Sequence, residues 1–144
     1  MSITLVTLAM ASLNILAAIT PAMAPAGASL AAPDAAALAG QGDALLVDIR
    51  RPEEWQATGR PAGATGITLE DPQFVTKIAE AVRGDRGRPV ILICRSGRRT
   101  LAGMDVLRAA GFSQVSHIGE GMIGSEHGPG WLNRGLPLDQ VAAD

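Results

Sequence analysis

The stretch that decides the fold is Val90-Ile91-Leu92-Ile93-Cys94-Arg95-Ser96-Gly97-Arg98-Arg99-Thr100. Four apolar β-formers run into a short loop of arginine, serine and glycine, and the only cysteine in 144 residues stands where one becomes the other. Beyond the loop, Leu101, Met104, Val106, Leu107 and Ala110 recur roughly at helical spacing, and Gly111 supplies a stop. The pattern predicts strand, tight loop and helix, with the thiol at the carboxyl end of the strand.

That position carries chemistry. Loop N–H groups that turn inward, together with the positive end of the helix, stabilise an anion, and Gly97 can take the positive φ that such curling requires. Thiolates are favoured by helix N-termini and by neighbouring arginines, and Cys94 has both. From Arg83 to Arg108 seven arginines face only Asp85 and Asp105, although the whole chain carries a net charge of −2; an anionic substrate is expected there. A lone cysteine is otherwise a small buried hydrophobe. The loop that follows this one selects the nucleophile reading.

Cys94-Arg95-Ser96-Gly97-Arg98-Arg99-Thr100 resembles the active-site loop of single-domain rhodaneses, sulfurtransferases with the pattern C-x-x-G-x-R-S/T. Leu45-Leu46-Val47-Asp48-Ile49-Arg50, followed by Pro52-Glu53-Glu54-Trp55, is similar to the family's "LLVDVR…EW" segment. Gly130-Trp131 and Gly135-Leu136-Pro137 are similar to its closing "GW…GLP". The likeness runs from about Asp34 to Leu138. One stretch departs: the family's "GHIPGA" stands here as Gly59-Arg60-Pro61-Ala62-Gly63-Ala64.

The resemblance implies an α/β fold, a small parallel β-sheet flanked by helices on both faces. It also implies sulfur transfer through a persulfide on Cys94, from thiosulfate or a similar anionic donor to a thiol or cyanide. A module that binds sulfide or carries a persulfide to a partner protein, with little turnover of its own, is the alternative. Arg95, Ser96, Gly97, Arg98, Arg99 and Thr100 are the expected substrate-binding set. Arg95 and Arg98 are assigned to the donor's oxygens, Arg99 to holding the loop, against Asp48, and Thr100 to the start of the next helix. Asp48 and Arg50 are supporting residues. Cysteine phosphatases and arsenate reductases have a superficially similar loop with five residues between cysteine and arginine, whereas Arg95 to Arg98 make four here. The shorter loop belongs with sulfur substrates. No metal or organic cofactor is required.

Composition agrees with one domain built on aliphatic packing: 47% of residues are hydrophobic, only 3% aromatic, and there is no tyrosine. Such a core suits a parallel sheet covered by helices. Eleven arginines and one lysine form no extended basic stripe, which argues against nucleic-acid binding. Two histidines and a single cysteine give no metal-ligand cluster.

Residues 1–33 carry no charged side chain, and Ile3 to Ile19 is mostly apolar. Ala22-Met23-Ala24, Ala24-Pro25-Ala26 and Ala26-Gly27-Ala28 each read as processing sites. Residues 1–28 are therefore expected to be an export signal, with a periplasmic or exported product, or else an uncleaved membrane anchor; residues 29–144 form the rhodanese-like domain. Along that domain the expected elements are a helix over Pro33 to Ala39, a central strand over Ala44 to Ile49, a helix opening at Pro52, and a short strand at Ile67-Thr68-Leu69. A helix capped by Asp71-Pro72 and a strand at Val115-Ser116-His117-Ile118 complete them. Asp48, at the end of its strand, is expected to face the Cys94 loop and accept hydrogen bonds from it or from an arginine. His117 reads as a half-buried strand residue and only secondarily as a base for Cys94. Gly119 to Gly130, with five glycines, is a mobile or tightly turned loop that brings Glu120 close to the thiol and His127 to the pocket rim. Asp139 to Asp144 reads as a tail.

Overall fold

The computed structural model describes residues 25–143. The export-signal or anchor reading of residues 1–28 lies, over residues 1–24, outside the described residues; among those described, no helix is long and apolar enough to cross a membrane.

Among the described residues ten elements follow one another: α1 (Ala32–Gly40), β1 (Leu45–Asp48), α2 (Pro52–Thr58), β2 (Arg60–Pro61), β3 (Thr65–Gly66), α3 (Phe74–Ala81), β4 (Val90–Ile93), α4 (Arg99–Ala109), β5 (Val115–His117) and β6 (Leu138–Asp139). Four strands form a parallel sheet in the order β3-β1-β4-β5, with β1 and β4 central. Parallel neighbours need crossovers, and helices supply them. The two central strands are apolar because both of their faces are covered. On one face Val47, Ile49, Val90, Leu92, Cys94 and Val115 pack against Phe74 and Ile78 of α3 and Met104 and Leu107 of α4. On the other, Leu46, Ile91, Ile93 and Ile118 pack against Ala32 and Ala35 of α1 and against Trp131.

Several elements differ in detail from the sequence reading, each for a local reason. The buried face of α4 is Thr100, Gly103, Met104 and Leu107, a clean i, i+3, i+4, i+7 series, while Leu101 and Val106 are exposed. Gly103 lets α4 approach the sheet, since a Cβ there would lie 3.0 Å from Leu92 Cδ1. Helix α3 starts at Phe74, and Asp71 caps the turn before it by accepting the Gln73 N–H at 2.8 Å. The strand expected at Ile67 to Leu69 is paired two residues earlier, at Thr65–Gly66. Gly66 is small for a packing reason: a Cβ would sit 3.0 Å from the Trp55 ring. Arg60, in the stretch that departs from "GHIPGA", lies over that ring at 5.3 Å. Leu138 and Asp139 belong to an antiparallel pair with Pro61 and Arg60, so the tail begins inside the fold.

Residues 27–30 run along the outer edge of β5. Gly27 N–H donates to Val115 O (2.6 Å), His117 N–H to Ala28 O (3.1 Å) and Leu30 N–H to His117 O (2.8 Å).

Candidate active site

Strand β4 ends at Ile93, and the next five residues turn back beneath the first turn of α4. Gly97, at φ +86°, makes the turn possible; a Cβ there would fall 2.2 Å from Gly119 O. Its N–H donates to Cys94 Sγ at 3.2 Å. The Thr100 hydroxyl lies 3.9 Å from the same sulfur and 3.0 Å from Gly97 O. Cys94 is 1% exposed: its side chain lies on the α3 and α4 face, with apolar neighbours on the sheet side and the loop folded over the other. Gly97 is the loop residue whose amide meets the sulfur.

Arg95 and Arg98 are exposed, and Ser96 and Arg99 are half-buried. Beside the loop opens a cleft of about 730 Å³, bounded by Ser96, Gly97, Arg98 and Leu101 on one side and by Ser125, Glu126 and His127 on the other. His117 also lines it. Arg86 and Arg108 have partners outside the loop: Arg86 covers Phe112 and bonds Ala110 O, and Arg108 pairs with Asp105. The arginines left at the loop itself are Arg95, Arg98 and Arg99.

Two pairings differ from the sequence reading. Arg99 holds the loop, but not against Asp48. Its Nη1 and Nη2 each donate to a carboxylate oxygen of Glu54 at 2.8 Å, a two-bonded clamp from α4 to α2. The hydrogen bonds from Arg99 hold the Glu54 carboxyl at about 2, against an ordinary 4.5, with the Arg51 N–H and the surrounding positive charge adding to them against the cost of burial. Asp48 pairs in register with Ile93, so the pleat puts both on the α1 face, opposite Cys94. It accepts from Arg50 N, Nε and Nη2, with the ion pair at 2.8 Å, both side chains being almost fully buried. Arg50 also donates to Gly59 O and Thr58 Oγ1, which ties the end of β1 to the end of α2. Asp48 and Arg50 therefore support the sheet edge from which the loops spring, not the thiol directly.

Glu120 also departs from expectation. It is 1% exposed and turned away from the thiol: it accepts the Ala32 N–H at the start of α1 (2.8 Å), the Gly130 N–H (2.7 Å) and Arg134 Nε (2.8 Å). Burial pushes its carboxyl up, but Arg134 and the two amides outweigh burial and hold it below the usual carboxylate range. The glycine loop it anchors is tightly turned. Met122 and Ile123 donate to the carbonyls of Cys94 and Arg95, and Trp131 and Leu132 donate back to Gly121 and Met122. Gly121 packs so close that a Cβ would lie 2.4 Å from Arg95 O.

The half-buried strand position expected for His117 does not describe it fully. It is buried, and its Nδ1 lies 2.7 Å from Thr100 Oγ1. The signal available in the sequence was register: Leu92 pairs with His117, so His117 and Cys94, two residues past Leu92, share a face. Among the described residues no cluster of His, Cys, Asp or Glu side chains comes together as a metal site.

The chain is 32% identical over 81 residues to a rhodanese domain-containing protein of Drosophila melanogaster, an alignment covering 51% of this chain and 73% of that one. A crystal structure of thiosulfate sulfurtransferase from Pseudomonas aeruginosa superposes with a TM-score of 0.62 at 30% identity, over 79% of this chain and 20% of that one. A Rhodopseudomonas palustris protein of unknown function, described as a possible tyrosine phosphatase, superposes with a TM-score of 0.57 at 25% identity, over 78% of this chain and 85% of that one. The family model of the rhodanese-like domain matches residues 31–124, from the start of α1 into the glycine loop that packs on Cys94. With its parallel sheet, its cysteine loop and that match spanning most of its length, the chain belongs to the rhodanese-like domain family, a family of the sulfurtransferase type.

Proposed function

We propose that the protein is a thiosulfate sulfurtransferase-like enzyme that works through a persulfide on Cys94. The observation that carries this reading is the sulfur of Cys94 accepting the Gly97 N–H at the foot of α4, beside a cleft lined by Arg98. The Cys94 thiolate attacks the outer sulfur of thiosulfate; the S–S bond of the donor breaks and sulfite leaves with the electron pair. A thiophile, cyanide or a thiol, then takes the outer sulfur and returns the thiolate. The Gly97 amide and the start of α4 stabilise negative sulfur, as an oxyanion hole stabilises oxygen. Exposed Arg98 faces the cleft and suits the donor's sulfonate-like oxygens. Arg95, exposed at the head of the loop, is the second cation available to the donor. Arg99 is engaged by Glu54 and contributes order to the loop. The four-residue spacing between Cys94 and Arg99 favours sulfur over phosphate.

The near-complete burial of Cys94 favours a second reading, a persulfide carrier that exchanges slowly with small donors and delivers sulfur to a partner protein. Thiocyanate formation from thiosulfate and cyanide, measured beside hydrolysis of a phosphate ester, tests these readings. Robust thiocyanate turnover, lost in Cys94→Ser, is expected. Intact-mass detection of one added sulfur atom without turnover selects the carrier. Turnover retained by Cys94→Ser, or phosphate-ester hydrolysis in place of sulfur transfer, overturns the proposal. Export of the domain, read from residues 1–28, is part of the same proposal and is checked by fractionation of the native host.

A further inference from the structure

One titratable ring is built into the wall of the cysteine loop. His117 Nδ1 lies 2.7 Å from Thr100 Oγ1, and that hydroxyl lies 3.9 Å from Cys94 Sγ and 3.0 Å from Gly97 O. His117, Thr100 and Cys94 are 6%, 0% and 1% exposed, so water does not compete for these contacts. Packing alone would be met by an apolar residue at this strand position. Both the N–H and the carbonyl of His117 are bonded to the strip along β5, by Ala28 O and by the Leu30 N–H, and its ring also borders the cleft.

A threonine hydroxyl has one proton to give and lone pairs to receive others. With the imidazole proton on Nε2, the Cys94 S–H donates to Thr100 Oγ1 and the Thr100 O–H donates to Nδ1, an unbroken path from thiol to ring. With the proton on Nδ1, the ring donates to Thr100, whose own proton turns to Gly97 O. Thr100 therefore reports the state of His117 to the sulfur.

We propose that His117 is a positioning residue which, acting through Thr100, takes up the proton released when the Cys94 thiol ionises. The S–H bond breaks and sulfur keeps the electron pair; Thr100 Oγ1 gains that proton as it passes its own to Nδ1, and the ring becomes imidazolium. Thr100 is unchanged, and the thiolate left behind offsets the new positive charge. The inference rests on Cys94 being the nucleophile of the proposed function. The charged groups that act on His117 are His127 from the glycine loop and Arg108 from α4; Cys94 reaches it through Thr100, Arg98 and Glu126 line the same cleft, and the segment along β5 brings only uncharged Ser29. Burial lowers the His117 pKa, and His127 and Arg108 add to that direction, so the ring is neutral at neutral pH and takes a proton only with the adjacent thiolate to offset that cost.

The test is the rate of Cys94 alkylation by iodoacetamide in the full chain, read by intact mass from about pH 5 to about pH 10. The wild type is expected to show two limbs, an early one from thiolate paired with imidazolium and an alkaline one from simple ionisation. His117→Gln and Thr100→Val should lose the early limb, falling at least about tenfold near neutral pH while keeping the alkaline limb, and Thr100→Ser should restore it. Wild-type profiles in both His117→Gln and Thr100→Val overturn the proposal, as does a Thr100→Ser profile that matches Thr100→Val. Should His117→Gln fail to fold by circular dichroism, the Thr100→Val and Thr100→Ser pair decides alone. A wild-type chain that takes no adduct at any pH overturns the nucleophile reading itself, whereas normal alkylation with unchanged variant profiles removes only the role of His117.

Discussion

The clamp between Glu54 and Arg99 should be measurable as a coupling energy. Holding the Glu54 carboxyl at about 2 instead of 4.5 corresponds to roughly 3 kcal/mol. The Glu54 and Arg99 side chains remain 25% and 31% exposed, and solvent screening reduces the expected coupling to about 1–2 kcal/mol. A double-mutant cycle with Glu54→Gln, Arg99→Gln and the pair, read by urea unfolding, isolates that quantity. The sign with pH is fixed: the folded carboxyl titrates below its unfolded counterpart. The contribution is therefore complete above about pH 4.5 and disappears as pH falls through about 2. The same cycle repeated under strongly acid conditions should give a coupling near zero. A neutral-pH coupling below about 0.5 kcal/mol, or one that does not fall with acid, would refute the assignment of Arg99 to Glu54. Loosening the clamp should also slow sulfur transfer, since α4 begins at Arg99 and its first turn shapes the loop.

Gly97→Ala should cost about 3 kcal/mol or more and abolish transfer, because alanine disfavours φ +86° and its Cβ would meet Gly119 O; a thermal melt within about 1 kcal/mol of wild type counts against the described loop. Glu120→Gln removes the charge toward which Ala32, Gly130 and Arg134 all point, and a loss of about 2–3 kcal/mol in denaturant unfolding is expected. An unaltered midpoint would mean that the glycine loop is held otherwise. His117 titrates lower when folded than when unfolded. Its contribution to stability is thus present above about pH 6.5 and is lost as pH falls through the lower folded value. The urea midpoint should drop over that interval in the wild type and drop less in His117→Gln; parallel curves would exclude a buried neutral ring.

Much of the site was legible because it is local. Val90 to Thr100 carries strand, loop, glycine turn and helix start in eleven consecutive residues, each with its own preference, and the structure has them in that order. The pairings were not legible in the same way. Arg99 and Glu54 are 45 positions apart, and nothing in either neighbourhood marks the other. Asp48 was correctly put at a strand end, but its face depends on which residue of β4 it lies beside, and the register with Ile93 turns it from Cys94. Gly66 is opaque for a related reason: the Arg60 and Trp55 side chains that leave no room for a Cβ there are brought to it only by the fold. Glu120 shows the limit most clearly, since its three partners come from α1, Gly130 and Arg134, and only the closed structure gathers them.

The strip from Gly27 to Leu30 has a consequence for handling the protein. An outermost strand with bare peptide groups is adhesive, and a foreign chain can add itself there; the strip occupies the places such a visitor would take along Val115 to His117. A recombinant chain opened at Ser29 would forfeit the bonds made by Gly27 and Ala28, leaving that margin uncovered and prone to self-association. The peptide of His117 is stitched into the same seam, so trimming the start of the domain would disturb solubility and the histidine that meets Thr100 together.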